Sequence, residues 1–143
     1  MEIRPLTDGY AVSPQISPED VPEIAAQGYE MVICNRPDAE VPVELKAGVL
    51  QAAVEAAGLR FVLNPVVGGA LSMDNVTAQR AALDNGTGKV LAYCASGNRS
   101  SIVWALANAG RLPTDALIAA GAQYGYQTAQ FRDLIERLAQ EQG

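Results

Sequence analysis

Cys94-Ala-Ser-Gly-Asn-Arg99 places a nucleophile and a cation four small or turn-forming residues apart, the spacing in this chain best suited to chemistry. The apolar, β-prone run Lys89–Tyr93 before it reads as a strand buried on both faces, and Ile102, Val103, Leu106 and Ala109 after it keep helical spacing. A strand that becomes a helix so quickly leaves the amides of residues 95–100 without intrahelical partners. Together with the positive end of the helix they make an anion site, with the thiol at its floor. A cysteine in that position, near an arginine, is expected to ionise at neutral pH and to act as a nucleophile. Arg99 opposes the helix dipole at a cost of about 0.3–1 kcal/mol, so it is expected to bind something negative. Cys94 and Arg99 are therefore read as catalytic, and Ala95, Ser96, Gly97, Asn98 and Ser100 as substrate-binding.

Other chemistry-bearing residues are weighed against plainer roles. Arg36, in the turn Asn35-Arg36-Pro37-Asp38, is either a second anion ligand or part of a polar turn. Asp38 is a candidate acid or the ion-pair partner of Arg36. Asp74 precedes Cys94 by 20 residues and is the other candidate acid, although a carboxylate in the first helical turn after Ser72 also has a purely structural reading. Cys34 ends an apolar strand and reads first as a small buried hydrophobe, second as a redox partner of Cys94. If strands 29–34 and 89–94 are adjacent, both cysteines fall at one sheet edge, with backbones about 4.8 Å apart and within disulfide range. Gly86-Thr87-Gly88-Lys89 is a turn, because a strand and not a helix follows the lysine. Trp104 is read as core.

Composition narrows the chemistry. The chain has no histidine, which removes Ser-His and Cys-His pairs and every histidine-based metal site. Two distant cysteines do not make a zinc site, so neither a metal nor a cofactor is expected. A net charge of −6 argues against nucleic acid and anionic membranes as partners, and it requires a local positive site for any small anionic substrate. The 143 residues, with no membrane-span or leader pattern, predict a single catalytic domain, 1–143, in the cytoplasm.

Several elements must position this loop. Strands are expected at 10–12, 29–34, 59–67 and 89–93. Helices are expected at 17–27, 43–57, 73–83, from Arg99 onward, at 115–124 and at 128–141. The alternation predicts an α/β fold with a mostly parallel sheet of about four to five strands and helices on both faces. Ligands of such sheets bind beyond the carboxyl ends of the strands, where Cys34, Asn35 and Cys94 should converge.

The Cys94–Ser100 segment resembles the Cys-x4-Arg active-site loop of rhodanese-type sulfurtransferases, with Ala95 where that loop often carries arginine. Residues 3–136 more broadly resemble the small phosphatase-like domains of the Blh family, through IRPLTDGYAVSPQISPEDV, NRPDAE and VLAYCASGNRSS. That resemblance implies a cysteine-phosphatase-like fold and a persulfide dioxygenase as partner. Three features favour sulfur over phosphoryl transfer. The loop is one residue shorter than the tyrosine-phosphatase signature, Tyr93 stands where those enzymes typically keep histidine, and Val66-Val67-Gly68-Gly69-Ala70 offers no carboxylate as acid. The expected reaction moves sulfane sulfur from a thiosulfate or persulfide through a Cys94 persulfide to a thiol. The alternatives are a phosphatase working through a Cys94 phosphoenzyme and a non-catalytic anion- or persulfide-binding module.

Overall fold

The computed structural model describes residues 1–86 and 88–142; Thr87, in the turn expected at 85–88, lies outside the described residues. The strands are β1 (Arg4–Thr7), β2 (Tyr10–Ser13), β3 (Tyr29–Cys34), β4 (Arg60–Leu63) and β5 (Lys89–Tyr93). They form one sheet in the order β1-β2-β5-β3-β4. β5 is central and runs parallel to β2 on one side and to β3 on the other, so four of its five residues are buried. The α/β fold with a mostly parallel sheet is thus the one expected.

β1 was not expected. It pairs antiparallel with β2 at the sheet edge, and Leu6 is its one buried residue. Pro5 weakens the strand pattern in the sequence but is tolerated where no further strand needs its amide. The strand expected at 59–67 ends at Leu63. Asn64 and Val66 still donate backbone bonds to Cys34 O and Asn35 O, at 2.9 Å each, but Pro65 has no N–H and the chain turns away.

Two helices cover one face, α1 (Val21–Ala26) and α2 (Ala47–Ala56), packing Val21, Ile24, Leu50 and Val54 on Val32 and Leu91. The other face carries α3 (Met73–Asn85), α4 (Asn98–Ala107), α5 (Thr114–Ala122) and α6 (Arg132–Gln142). There Val76, Val103, Leu117 and Ile135 pack on Val12, Ile33 and Ala92. α4 is buried continuously from Ser100 to Ala107, and Trp104 stacks on Tyr10 with ring centroids 5.7 Å apart. A helix apolar on every side has to lie between other layers, which fixes the loop before it. No helix among the described residues is long and apolar enough to cross a membrane.

The helix expected at 43–57 is a 3-10 turn, Val43–Leu45, followed by α2, and its buried stripe is Ala47, Leu50 and Val54. The expected face of Leu45, Val49, Ala52, Ala53 and Ala56 is displaced, and Val49 is 40% exposed. An alanine-rich helix gives little contrast between faces, and of its three large apolar residues Leu50 and Val54, one turn apart, are buried together while Val49 is left outside. Leu50→Ala should therefore cost about 2–5 kcal/mol in urea unfolding, while Val49→Ala should cost less than about 0.5 kcal/mol. Equal effects would mean that the helix presents its other face.

Candidate active site

The loop after β5 is built on one residue in the left-handed region. Gly97 has φ +96°, a backbone conformation open to glycine and costly for side chains with Cβ. That turn folds the loop back so that the Gly97 N–H donates to Cys94 Sγ at 3.1 Å. Cys94 is fully buried, and its own N–H reaches Ser13 O at 3.4 Å. Ser96 Oγ accepts from the Asn98 N–H at 3.2 Å, tying off the first turn of α4.

Arg99 does not wait free for a ligand. Its Nη1 and Nη2 donate to the two carboxylate oxygens of Glu40, each at 2.8 Å, and Nη1 also donates to Val66 O at 2.7 Å. Three of the five guanidinium donors are thereby used, leaving the edge formed by Nε–H and the second Nη2 hydrogen. The carboxylate pushes the Arg99 pKa further up, and the neighbouring Cys94 thiol adds to the effect. Arg99 in turn holds Glu40 below the usual carboxylate range. A depressed carboxylate stabilises the fold above its ordinary value of about 4.3 and loses that contribution as pH falls through its lower folded value. At neutral pH the pair is intact.

Below the loop, a buried polar network joins the strand ends. Ser100 Oγ donates to Asn35 Oδ1 at 2.9 Å, and Asn35 Nδ2 donates to Gln79 Oε1 at 3.0 Å and to Asn64 O at 2.9 Å. Gln79 Nε2 donates to the Tyr10 hydroxyl at 3.0 Å, which donates to Ser100 O at 3.1 Å. Burial pushes the Tyr10 phenol up, so it remains a donor. A satisfied network of this kind sets one arrangement of the segments it joins.

In front of the loop opens a cavity of about 580 Å³. Glu40, Ser96, Asn98, Arg99, Gln127 and Gln130 are its polar lining residues, and Val66, Leu71, Ile102 and Phe131 are among the apolar ones. Of the residues expected to bind substrate, Ala95, Ser96 and Asn98 line this cavity, and Gly97 faces the thiol. Ser100 does not line it, because its hydroxyl is spent on Asn35. Arg36 donates from Nε to Glu40 Oε1 at 3.3 Å and from Nη1 to Gln15 Oε1 at 3.2 Å, so it braces Glu40 and does not line the cavity. Asp38 accepts the Ala47 N–H at 2.7 Å and starts α2. Asp74 is exposed in the first turn of α3, where Ser72 Oγ accepts the Asn75 N–H. Neither aspartate lines the cavity.

The cysteine pair is corrected by register. Cys34 lies opposite Tyr93, not Cys94, and shares the second core cluster with that tyrosine. Cys94, one residue on, turns to the other side, because successive side chains alternate across a strand. Cys34 donates to Arg36 O at 3.3 Å, burial pushes its thiol up, and both cysteines are free. The two cysteines are thus one residue out of register. Among the described residues, no group of three or more His, Cys, Asp or Glu side chains could hold a metal.

Glu40 is the residue that sequence reasoning missed. It sits in the same NRPDAE segment as Arg36 and Asp38, at the end of a short 3-10 turn, Asp38–Glu40. Its signal was an acid two residues beyond the one considered. Only the turn decides which of the two faces the cavity.

Residues 2–111 match the sequence model of the "Beta-lactamase hydrolase-like protein, phosphatase-like domain" family. The chain belongs to that family. It is 30% identical over 141 residues to the beta-lactamase hydrolase-like protein of Xylella fastidiosa strain 9a5c, covering 97% of this chain and 33% of that protein. The chain thus spans about a third of the length of this curated relative. A candidate phosphatase from Neisseria meningitidis superposes with a TM-score of 0.81 at 29% identity, over 96% of this chain and 99% of that one. Tk-PTP in its active form superposes with a TM-score of 0.74 at 19% identity, over 97% and 96%, and shows the same fold.

These likenesses overturn the expected sulfurtransferase. The family is a phosphatase-like one and the fold is that of cysteine phosphatases, not specifically that of rhodanese-type enzymes. One of the three features that favoured sulfur also loses its force: Tyr93 is a core residue, 1% exposed. The cavity does hold a carboxylate, Glu40, but Arg99 keeps it below the usual carboxylate range, so the lack of an acid stands. The short loop remains, but the cavity before it has room for far more than one sulfur atom.

Glu40→Ala should free Arg99 to swing and lower kcat/KM by tenfold or more for any anionic substrate, while Asp38→Asn and Asp74→Asn stay within about threefold. Steady-state kinetics on the three variants checks this. A large loss in either aspartate variant with Glu40→Ala unaffected would contradict the geometry.

Proposed function

We propose that this chain is a cysteine-dependent hydrolase of phosphate monoesters. The observation that carries the reading is the Nε–H/Nη2–H edge of Arg99, unused by Glu40 and Val66 and close to Cys94, in a chain of the phosphatase-like family. A guanidinium edge with two parallel donors matches two oxygens of a phosphoryl group. The Gly97 amide, already bonded to the sulfur, sits where charge on an attacking thiolate is stabilised.

In the first step the Cys94 thiolate forms an S–P bond as the ester P–O bond breaks, and the leaving oxygen departs with that electron pair. In the second step water attacks the phosphocysteine, inorganic phosphate leaves and the thiolate returns. Arg99 and the loop amides neutralise the equatorial oxygens in both steps.

Glu40 is the carboxylate that lines the cavity among the described residues, and Arg99 keeps it ionised. It therefore orients Arg99 and supplies no proton to the leaving group. The reading favours esters whose leaving group departs without help, aryl phosphates above all. The cavity walls support a substrate with one phosphate and an uncharged body, since Arg99 is the cation among the described lining residues. A partner enzyme, such as the persulfide dioxygenase that the family resemblance implies, belongs to the same proposal.

Purified protein should hydrolyse para-nitrophenyl phosphate faster than an alkyl phosphate by on the order of 10²-fold or more, because general-acid help is typically worth that much. Cys94→Ser should abolish both activities. Equal rates on aryl and alkyl esters would mean that a proton donor acts in the site, and an active serine variant would remove the thiolate from the mechanism.

A further inference from the structure

The peptide unit between Ser96 and Gly97 is gripped from outside the loop. Its carbonyl oxygen, Ser96 O, accepts from the Tyr126 hydroxyl at 2.8 Å and from Arg4 Nη1 at 3.3 Å. Arg4 Nη1 also donates to the Tyr126 hydroxyl at 2.7 Å, and its guanidinium lies 5.9 Å from the ring centroid. The opposite end of the same peptide unit is the Gly97 N–H, which donates to Cys94 Sγ. In a trans peptide the C=O and N–H point in opposite directions. Holding the oxygen outward therefore aims the hydrogen inward.

We propose that Tyr126 and Arg4 are positioning residues, which fix the Ser96–Gly97 peptide so that its amide is directed at the Cys94 sulfur. The proposal rests on Cys94 being the nucleophile of the reaction above. Burial pushes the Tyr126 phenol up, so it is a donor at neutral pH. The fit is close: a Cβ on Gly97 would collide with the Tyr126 hydroxyl. The two clamp residues come from opposite ends of the chain, and Tyr126 lies beyond the residues that match the family sequence model. The segment after α5 thus has a task at the site, and β1, whose first residue is Arg4, has the other half of it.

Cys94 alkylation by iodoacetamide, followed against pH by mass spectrometry of the Cys94 peptide in the full chain, tests the clamp. Tyr126→Phe should raise the pH at which the alkylation rate reaches half its plateau by about 0.5–1 unit, since one charge-assisted bond to the sulfur is loosened. Arg4→Met should act in the same direction, and kcat on an aryl phosphate should fall about threefold to tenfold with little change in KM. Tyr124→Phe is the control. Its hydroxyl donates to Pro5 O at 2.7 Å, a bond of the same kind that does not touch the loop, so the profile should stay in place. An unchanged profile in Tyr126→Phe, or an equal shift in Tyr124→Phe, would overturn the proposal. Alkylation needs no ester, so a shift in a protein without ester turnover would uphold the clamp while sinking the phosphatase reading.

Discussion

The bidentate pair between Arg99 and Glu40 is the contact on which the site depends. It joins the loop after β3 to the first turn of α4, and the bond from Arg99 to Val66 O adds the segment after β4. Three chain segments distant in sequence are thus held by one planar group whose donors have fixed directions. The pair is half-buried, so its charge-assisted bonds keep more of their strength than surface ion pairs do, and both partners remain hydrogen-bonded. Its consequence is directional. Glu40 and Val66 take up the Nη1 donors and one Nη2 donor, and the Nε side of the guanidinium lies toward Cys94.

That arrangement also answers the electrostatic problem posed by a chain with a net charge of −6. An anionic substrate cannot be drawn in by the molecule as a whole and has to be stabilised locally, by oriented amides and one cation in a partly enclosed cavity. The central position of β5 makes this possible. Buried on both faces, it leads into a helix that is itself buried, so the loop between them is anchored at both ends. Asn35, Gln79, Tyr10 and Ser100 then fix the neighbouring segments through bonds that no solvent competes for.

Much of this was legible in the sequence, and what was not has physical causes. β5, α4 and the loop between them follow from an apolar run, a turn of small residues and a helical period. The ends of α1 and α2 follow from Gly28 and Gly58, both at positive φ. β1 was hidden because an edge strand needs little apolar pattern and tolerates Pro5. Glu40 was hidden because a carboxylate's partner is set by a tertiary turn, and Asp38 stood equally near. The expected alignment of Cys34 with Cys94 missed a one-residue register, which sets successive side chains on opposite faces. The chemistry was misread for a related reason. An activated cysteine in an amide cradle serves sulfur and phosphoryl transfer alike, and the features used to separate them were local. Tyr93 belongs to the core, and the carboxylate in the cavity, Glu40, comes from a different loop and is tied to Arg99.

If Cys94 accepts a phosphoryl group held by Arg99 and the loop amides, a phosphocysteine forms during turnover. Acid-quenching the protein within milliseconds of mixing with an aryl phosphate, then mapping the Cys94 peptide by mass spectrometry, tests it directly. A phosphoryl group is expected on Cys94 in the native chain and none in Arg99→Ala. Product formation with Cys94 unmodified at every quench time, or a phosphoryl group found on another residue, would contradict it.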